Sequence, residues 1–448
     1  MPLPSLIEIE PLAGRVRAEV AVPGSKSITN RALVLAALAT GETELRGALW
    51  SEDIQVMVEC LQKLGFMVNV ASDPAEPGNR TITVYGQGGR VPRGGSGGQP
   101  LELFVGNAGT AARFLAAIMC LGPGTYRLSG VPRMHERPQA SLFAALRELG
   151  YQIESANDRL PAVIHGGGPR PGRCRVSILE SSQFASALLL GSRVGGWEVE
   201  VTGENAEESP YVALTSKVMA AFPARGGAFT VEPDCSSGSY FWAAGPVTVS
   251  RWPRSGWQMD EAFPRYWAGL QPGEAAPNPT AAAPPPTSGW PRATGPGRQG
   301  GFLTVSRRDD LGDSIMTAIA LAPLLAEPVR FTDLGRLRVQ ECERVVALRT
   351  ELDRCGARVE ESGDTLTVWP SRLHGAQIET CEDHRMAMCF AILGLKIPGV
   401  RIQNPACVRK TFPNFFQKLA APPPEGLGAV IRDAPTGRAL ALEALLAD

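Results

Sequence analysis

Lysine and histidine are scarce in this 448-residue chain, which has 6 Lys against 38 Arg, and 4 His. None of its 9 Cys stands in a C-x-x-C pair. That spacing excludes the common zinc sites and a disulfide framework, so reduced thiols in a cytoplasmic protein are expected. No apolar run approaches the roughly 20 residues of a membrane span. The opening MPLPSLIEIEPLAG lacks a basic region followed by an apolar one, so it does not read as a secretory signal. Neither charge dominates. A formal net charge of -1 argues against a general nucleic-acid binder, which needs a basic face.

What the chain does have is length, 44% hydrophobic residues and an internal pattern. The length predicts two or more domains. Six times, a polar cluster opens an Ala/Leu-rich helix that stops at Gly or Pro before a short strand. The copies open at Ser25, Asn107, Ser181, Ser236, Asp310 and Asp383. Small residues all round these helices predict burial on most sides. Between them, amphipathic helices end at Gly65, Gly150 and Gly356, each placed as the left-handed residue that stops a helix. A period of about 70–90 residues reads as repeated α/β units and not as a solenoid of short repeats. Six units predict two domains of three, residues 22–231 forming one and 1–21 with 232–448 the other. Residues 271–299 hold 8 Pro and read as a Pro/Ala/Gly-rich insertion without secondary structure. Near the C-terminus, RALALEALLA predicts one short helix.

Chemistry is expected where the buried helices begin. A helix start leaves free N–H groups and a partial positive charge, which attract anions. Here the starts add Lys26, Ser27 and Arg31; Asn107, Gly109, Thr110 and Arg113; Ser181, Ser182 and Gln183; and Asp383, His384 and Arg385. A Ser, Asn or Asp at such a place is equally an ordinary N-cap. Four clusters that each bring hydroxyls, amides or cations point together to small phosphorylated, carboxylated ligands. PGSKS is not a P-loop, because Ser25 stands where that motif needs Gly before the Lys. RMHERP, from Arg133 to Pro138, sets two Arg and a His in one loop, suited to clamping phosphate or carboxylate. In RVQECER, Glu341 and Arg344 are three residues apart, an ion-pair spacing on one helix face. Lys410 precedes an aromatic helix. Of the His, only His384, between Asp383 and Arg385, is placed to orient a ligand; His135, His165 and His374 read as surface residues.

Taken in order, PGSKSITNRAL, GNAGTAARFL, RMHERP, SSQF, DHRMAMCF and KTFPNFF resemble the EPSP synthase family, from about Pro23 to Leu419 apart from the insertion. The resemblance implies a two-domain inside-out α/β barrel with three α/β units per domain. It implies transfer of the carboxyvinyl group of phosphoenolpyruvate to the 5-hydroxyl of shikimate 3-phosphate, with release of phosphate and with no metal or organic cofactor. A cytoplasmic monomer that meets small-molecule substrates, with no nucleic acid and no membrane, is expected. By motif, Asp313 would accept the hydroxyl proton, Glu341 would serve proton transfer at carbon 3, and Lys26 would contact both substrates. Lys26, Ser27, Arg31, Ser181, Ser182, Gln183 and Asp313 would hold shikimate 3-phosphate. Lys26, Asn107, Gly109, Arg137, Gln183, Arg344, His384, Arg385 and Lys410 would hold phosphoenolpyruvate. Glyphosate occupies the phosphoenolpyruvate site in this family, and Gly109 leaves room there, so sensitivity is expected.

Some positions depart from the family pattern. The stretch before Arg344 usually reads Asn-x-Arg-Val-Lys-Glu-Thr-Asp-Arg, whereas here Arg336 replaces the Asn, Gln340 the Lys and Glu343 the Asp. Glu208 occupies the place of a phosphate-binding Ser, with Ser209 beside it. These changes fall on the shikimate 3-phosphate side. A related UDP-N-acetylglucosamine enolpyruvyl transferase would carry a Cys in the loop matching RMHERP, and no Cys lies between Cys120 and Cys174. A non-catalytic binding protein of the same fold is the other alternative.

Overall fold

The computed structural model describes residues 3–203, 209–271 and 295–447. It divides into two compact units, one of Gly24–Glu232 and one of Met1–Pro23 with Pro233–Asp448.

In the Gly24–Glu232 unit three helices are almost wholly buried, Lys26–Leu38, Gly109–Cys120 and Ser182–Gly195. Their sequences offer Ala, Leu, Ile and Phe on every side, so no polar stripe turns outward. Arg31 of the first lies over the ring of Phe114 of the second at 5.4 Å, and Arg113 of the second over Phe184 of the third at 5.8 Å. All four residues belong to the first two turns of their helices. The three helices therefore begin side by side.

Around them two four-stranded sheets share one topology. Gly227–Thr230 runs parallel to Thr40–Leu49, which is antiparallel to Asn79–Gln87, itself antiparallel to Met67–Ser72. Leu101–Phe104, Thr125–Ser129, Ala162–His165 and Gln152–Glu154 repeat that order. A parallel pair, Gly172–Ser177 with Trp197–Thr202, is the third element.

The other unit follows the same plan. Phe302–Ser306, Val329–Thr332, Thr365–Trp369 and Arg358–Ser362 form one such sheet. Gln377–Ile378, Val400–Gln403, Leu6–Ile9 and Ile431–Asp433 form the second. Leu6–Ile9 lies between two late strands, which is why the first residues of the chain belong with its last. Val247–Val249 and Ala18–Val20 make the parallel pair. The buried helices here are Cys235–Ala244, Ile315–Leu321 and His384–Gly394. The Ser239 and Thr317 hydroxyls, 2.8 Å apart, join the first two, and Thr317 Oγ1 lies 3.9 Å from Cys389 Sγ of the third.

Gly65, Gly150 and Gly356 stop their amphipathic helices with φ of 92°, 85° and 85°. All 9 Cys are free thiols. Among the described residues no helix is long and apolar enough to cross a membrane.

Two local expectations fail. Gly297–Gln299 is a strand, antiparallel to Phe302–Ser306, so the Pro-rich window ends inside a hairpin. Gly300 and Gly301, with φ of 58° and 85°, supply its turn, a signal hidden by the surrounding Pro/Gly composition. Residues 272–294 lie outside the described residues. The RALALEALLA segment is not an α-helix. Ala439 bridges to Arg432, and only Leu442–Leu445 winds into a 3-10 turn. With a single buried residue, Leu445, the turn has too little packing to offset the cost of nucleating a helix.

Candidate functional site

Ordinary N-caps account for part of the polar clusters. Ser181 Oγ accepts from the Gln183 N–H at 3.2 Å, and Asp383 Oδ1 from the Arg385 N–H at 2.8 Å. Elsewhere the caps fall on other residues than the clusters imply. Ala108, not Asn107, precedes the Gly109 helix, and Asp234 caps the Cys235 helix by accepting from the Ser237 N–H at 2.7 Å.

In the Gly24–Glu232 unit, Lys26 opens its helix with Nζ 3.1 Å from Asp53 Oδ2. Arg31 is buried and makes four hydrogen bonds. Its Nε donates to Thr215 Oγ1 at 2.8 Å, Nη1 to Ser27 O at 2.8 Å, and Nη2 to Ser186 Oγ at 3.1 Å and Tyr211 O at 3.4 Å. Burial draws its pKa down to about 10, opposed by Tyr211, so it stays charged at neutral pH. Arg31 thus ties its own helix to Ser182–Gly195 and Ser209–Ala221, and fixes the backbone at Ser27.

A second group gathers at Gly109. A Cβ there would lie 2.5 Å from Arg113 Nη1 and 2.7 Å from Arg137 Nη2, so only glycine lets both guanidinium groups approach this helix start. Arg137 Nη1 donates to Asn107 O at 3.2 Å, and Arg113 Nη2 to Pro138 O at 2.8 Å. Ser181 and Ser182 are buried at the neighbouring helix start. Gln183 Oε1 and both amide atoms of Gln139 are buried with no hydrogen-bond partner from the protein. Each such atom costs about 1–3 kcal/mol, which a polar ligand would relieve. A cavity of about 980 Å³ in the same unit, lined by Leu38, Leu121 and Val194, lies at the opposite ends of these helices and is not this anion site.

In the other unit the centre is Asp313. Its Oδ2 lies 3.1 Å from Arg385 Nη2 and its Oδ1 3.3 Å from Arg307 Nη2. Burial alone would raise its pKa, but Arg385, Arg307 and Arg344 together outweigh burial and hold the carboxyl well below its usual range. Arg344, almost fully buried, contacts Asp383 Oδ2 at 2.7 Å and Glu341 Oε2 at 2.8 Å, and donates through Nη1 to Gln340 Oε1. Lys410 Nζ stands 3.5 Å from Glu341 Oε1. His384 is buried, with Nδ1 3.6 Å from Asp383 Oδ1. Asp313, Glu341, Arg344, Arg385 and Lys410 are therefore brought together, and His384 is buried beside Asp383. Among the described residues no group of three His, Cys, Asp or Glu is arranged to hold a metal.

Glu341 and Arg344 do pair, but not along a helix. The helix begins at Arg344 and is capped by Glu343, which accepts from the Val346 N–H at 2.5 Å. Glu341 belongs to the preceding loop, and i, i+3 spacing alone does not separate the two arrangements. Asp53, Gln139 and Arg307 escaped the sequence reading. Asp53 looks like a first-turn acid, Gln139 has no motif, and Arg307 sits in SRRDDLGD, which reads as solvated charge. Glu208 and the Ser209 side chain lie outside the described residues.

The family model for EPSP synthase (3-phosphoshikimate 1-carboxyvinyltransferase) matches residues 12–225 and 307–419. The chain belongs to the EPSP synthase family. Relatives named 3-phosphoshikimate 1-carboxyvinyltransferase match along nearly the whole length. That of Opitutus terrae is 37% identical over 94% of this chain and 98% of its own. That of Bordetella pertussis is 39% identical over 92% and 96%. Among solved structures, EPSP synthase from Acinetobacter baumannii is similar in fold, with a TM-score of 0.69 at 20% identity, covering 96% of this chain and all of that one. An enolpyruvyl transferase from Streptomyces tendae has a TM-score of 0.62 at 16% identity, covering 96% of this chain and 99% of that one. The fold is accordingly the two-domain inside-out α/β fold of the EPSP synthase family. The two segments of the family match leave out residues 226–306, which hold the Pro-rich window.

Proposed function

We propose that this EPSP synthase family member transfers the carboxyvinyl group of phosphoenolpyruvate to the 5-hydroxyl of shikimate 3-phosphate, forming 5-enolpyruvylshikimate 3-phosphate and phosphate. The observation that carries the reading is the largely enclosed Asp313, held well below the usual carboxylate range in one ion-pair network with Glu341, Arg344, Arg385 and Lys410.

Asp313 is ready to accept the proton of the 5-hydroxyl as that oxygen attacks carbon 2 of phosphoenolpyruvate. Glu341 delivers a proton to carbon 3. Arg344 and Lys410 flank Glu341, at 2.8 and 3.5 Å. The tetrahedral adduct then returns a carbon-3 proton to Glu341 as the bond from carbon 2 to the phosphate oxygen breaks, and fixed cations stabilise the charge that gathers on the leaving phosphate. The sequence is redox-neutral: one C–O bond forms at carbon 2, another breaks to release phosphate, and the protons involved pass through Asp313 and Glu341. Lys26, Ser27, Arg31, Ser181, Ser182, Gln183 and Asp313 are assigned to shikimate 3-phosphate. Lys26, Asn107, Gly109, Arg137, Gln183, Arg344, His384, Arg385 and Lys410 are assigned to phosphoenolpyruvate.

The test is phosphate release by the purified protein given both substrates. Turnover is expected with shikimate 3-phosphate and none with UDP-N-acetylglucosamine as acceptor. Folded protein that releases no phosphate would refute the assignment.

A further inference from the structure

Asp313 is held by two guanidinium groups, one on each carboxylate oxygen, and they differ in kind. Arg385 opens the His384–Gly394 helix, is 12% exposed, and is assigned to phosphoenolpyruvate. Arg307 is 2% exposed and has no surface to offer a ligand. Its backbone is rooted in a tightly bonded turn. Arg307 N–H donates to Thr332 O at 3.0 Å, and Asp310 and Leu311 N–H return to Ser306 O at 3.0 and 3.1 Å. Asp310 Oδ2 accepts from the Ser306 N–H at 2.8 Å while its Oδ1 accepts from the Tyr266 hydroxyl at 2.5 Å. This scaffold aims the Arg307 guanidinium at Asp313 Oδ1 and leaves it little freedom to move.

We propose that Arg307 is a positioning residue for Asp313, fixing Oδ1 so that Oδ2 is the oxygen presented to the substrate hydroxyl. When phosphoenolpyruvate engages Arg385, Arg307 remains as the partner that keeps the carboxylate oriented and ionised. The inference rests on the reading of Asp313 as proton acceptor. The charged groups that act on Asp313 come from four directions. Arg307 follows the Phe302–Ser306 strand, Arg385 opens its helix, Arg344 and Glu341 flank the start of the Arg344–Arg354 helix, and Asp260 comes from the Met259–Ala262 turn. Removing Arg307 leaves burial, Glu341 and Asp260 opposing ionisation against one less cation.

The experiment measures kcat and KM against pH for Arg307→Met, Arg307→Lys and Asp313→Asn in the full-length protein, each checked for folding by circular dichroism. For Arg307→Met, kcat should fall at least about tenfold while both KM values stay within about threefold. The acidic limb of its kcat profile should move upward by about two pH units, the effect expected of losing one close cation. Arg307→Lys keeps the charge without the fork, so its limb should stay near wild type while kcat drops by about fivefold or more. A wild-type kcat and acidic limb in Arg307→Met overturn the proposal. If that variant fails to fold, wild-type kcat in Arg307→Lys overturns it instead. Asp313→Asn separates the two ideas. Near-normal turnover there sinks the reading of Asp313 and this inference with it, whereas an inactive Asp313→Asn beside an unaffected Arg307→Met sinks the inference alone.

Discussion

Replacing Asp383 with Asn tests how the ion-pair network is held together. Asp383 is fully buried and does two jobs, capping its helix through the Arg385 N–H and binding Arg344 through both oxygens, at 2.7 Å to Nε and 3.2 Å to Nη2. Asn can keep the cap. It cannot accept at both positions, so in either amide orientation one N–H faces another donor, and the Arg344 charge loses its closest partner. Breaking a buried pair by removing one member costs about 3–5 kcal/mol. Arg344 still has Glu341 at 2.8 Å and Gln340, which places Asp383→Asn near the lower end, about 3 kcal/mol. In a domain of this size that is a fall in melting temperature of about 6–12 °C. Asp383→Ala loses the cap as well, about 1 kcal/mol more.

The assay is urea denaturation read beside steady-state kinetics. Arg344 set loose should raise KM for phosphoenolpyruvate about tenfold or more, and KM for shikimate 3-phosphate much less. A variant within about 1 kcal/mol of wild type and with unchanged KM would refute the argument, since the bidentate contact would then contribute nothing measurable.

Gly109→Ala brings a methyl against Arg113 and Arg137, and should lower kcat/KM for phosphoenolpyruvate about tenfold while raising tolerance to glyphosate. Unaltered inhibition by glyphosate would show that the Gly109 helix start is not where it binds. Asp313 has a folded pKa below its unfolded value of about 4, so its ion pairs stabilise the protein above that pH and fade as pH falls below it. The stability gap between wild type and Asp313→Asn should therefore be full at pH 7 and narrow in acid below pH of about 4, and a gap that widens in acid would contradict the sign. Gln340→Lys removes an acceptor from Arg344 and restores the cation usual in this family. KM for shikimate 3-phosphate should fall and KM for phosphoenolpyruvate rise, and two unchanged values would count against both effects.

The repeat was legible because burial forces it. A helix enclosed by sheets has no polar face, and six such helices, each opened by polar residues, stand out in a chain with 20% charged residues. The helix-stopping glycines were legible for a related reason, since a left-handed residue after a helix admits little else. Short-range spacing misled where the backbone was free to choose. Glu341 and Arg344 have helical spacing but pair across a loop, and RALALEALLA has helix-forming residues but too few packed side chains to hold a helix. Arg307 was hidden because its partner, Asp313, lies among Asp309 and Asp310 in the sequence, and charge patterning cannot say which acid turns inward.

The family departures around Arg344 also take on a local meaning. An Asp at position 343 would be a standard N-cap, whereas Glu is seldom one because its longer chain costs entropy to hold. Here the extra methylene lets Glu343 both cap Val346 and reach Arg338 at 2.7 Å. Arg338 in turn binds Glu361 at 2.7 Å and Asp364 at 3.2 Å, fastening the loop to the Arg358–Ser362 strand and its turn. Gln340 is drawn into the same arrangement by Arg344, as a neutral acceptor where a Lys would repel the guanidinium. The substitutions at 340 and 343 thus compensate one another around two arginines. They secure the loop that carries Glu341 at the expense of a cation at 340, which makes Gln340→Lys the variant in which the two demands can be weighed.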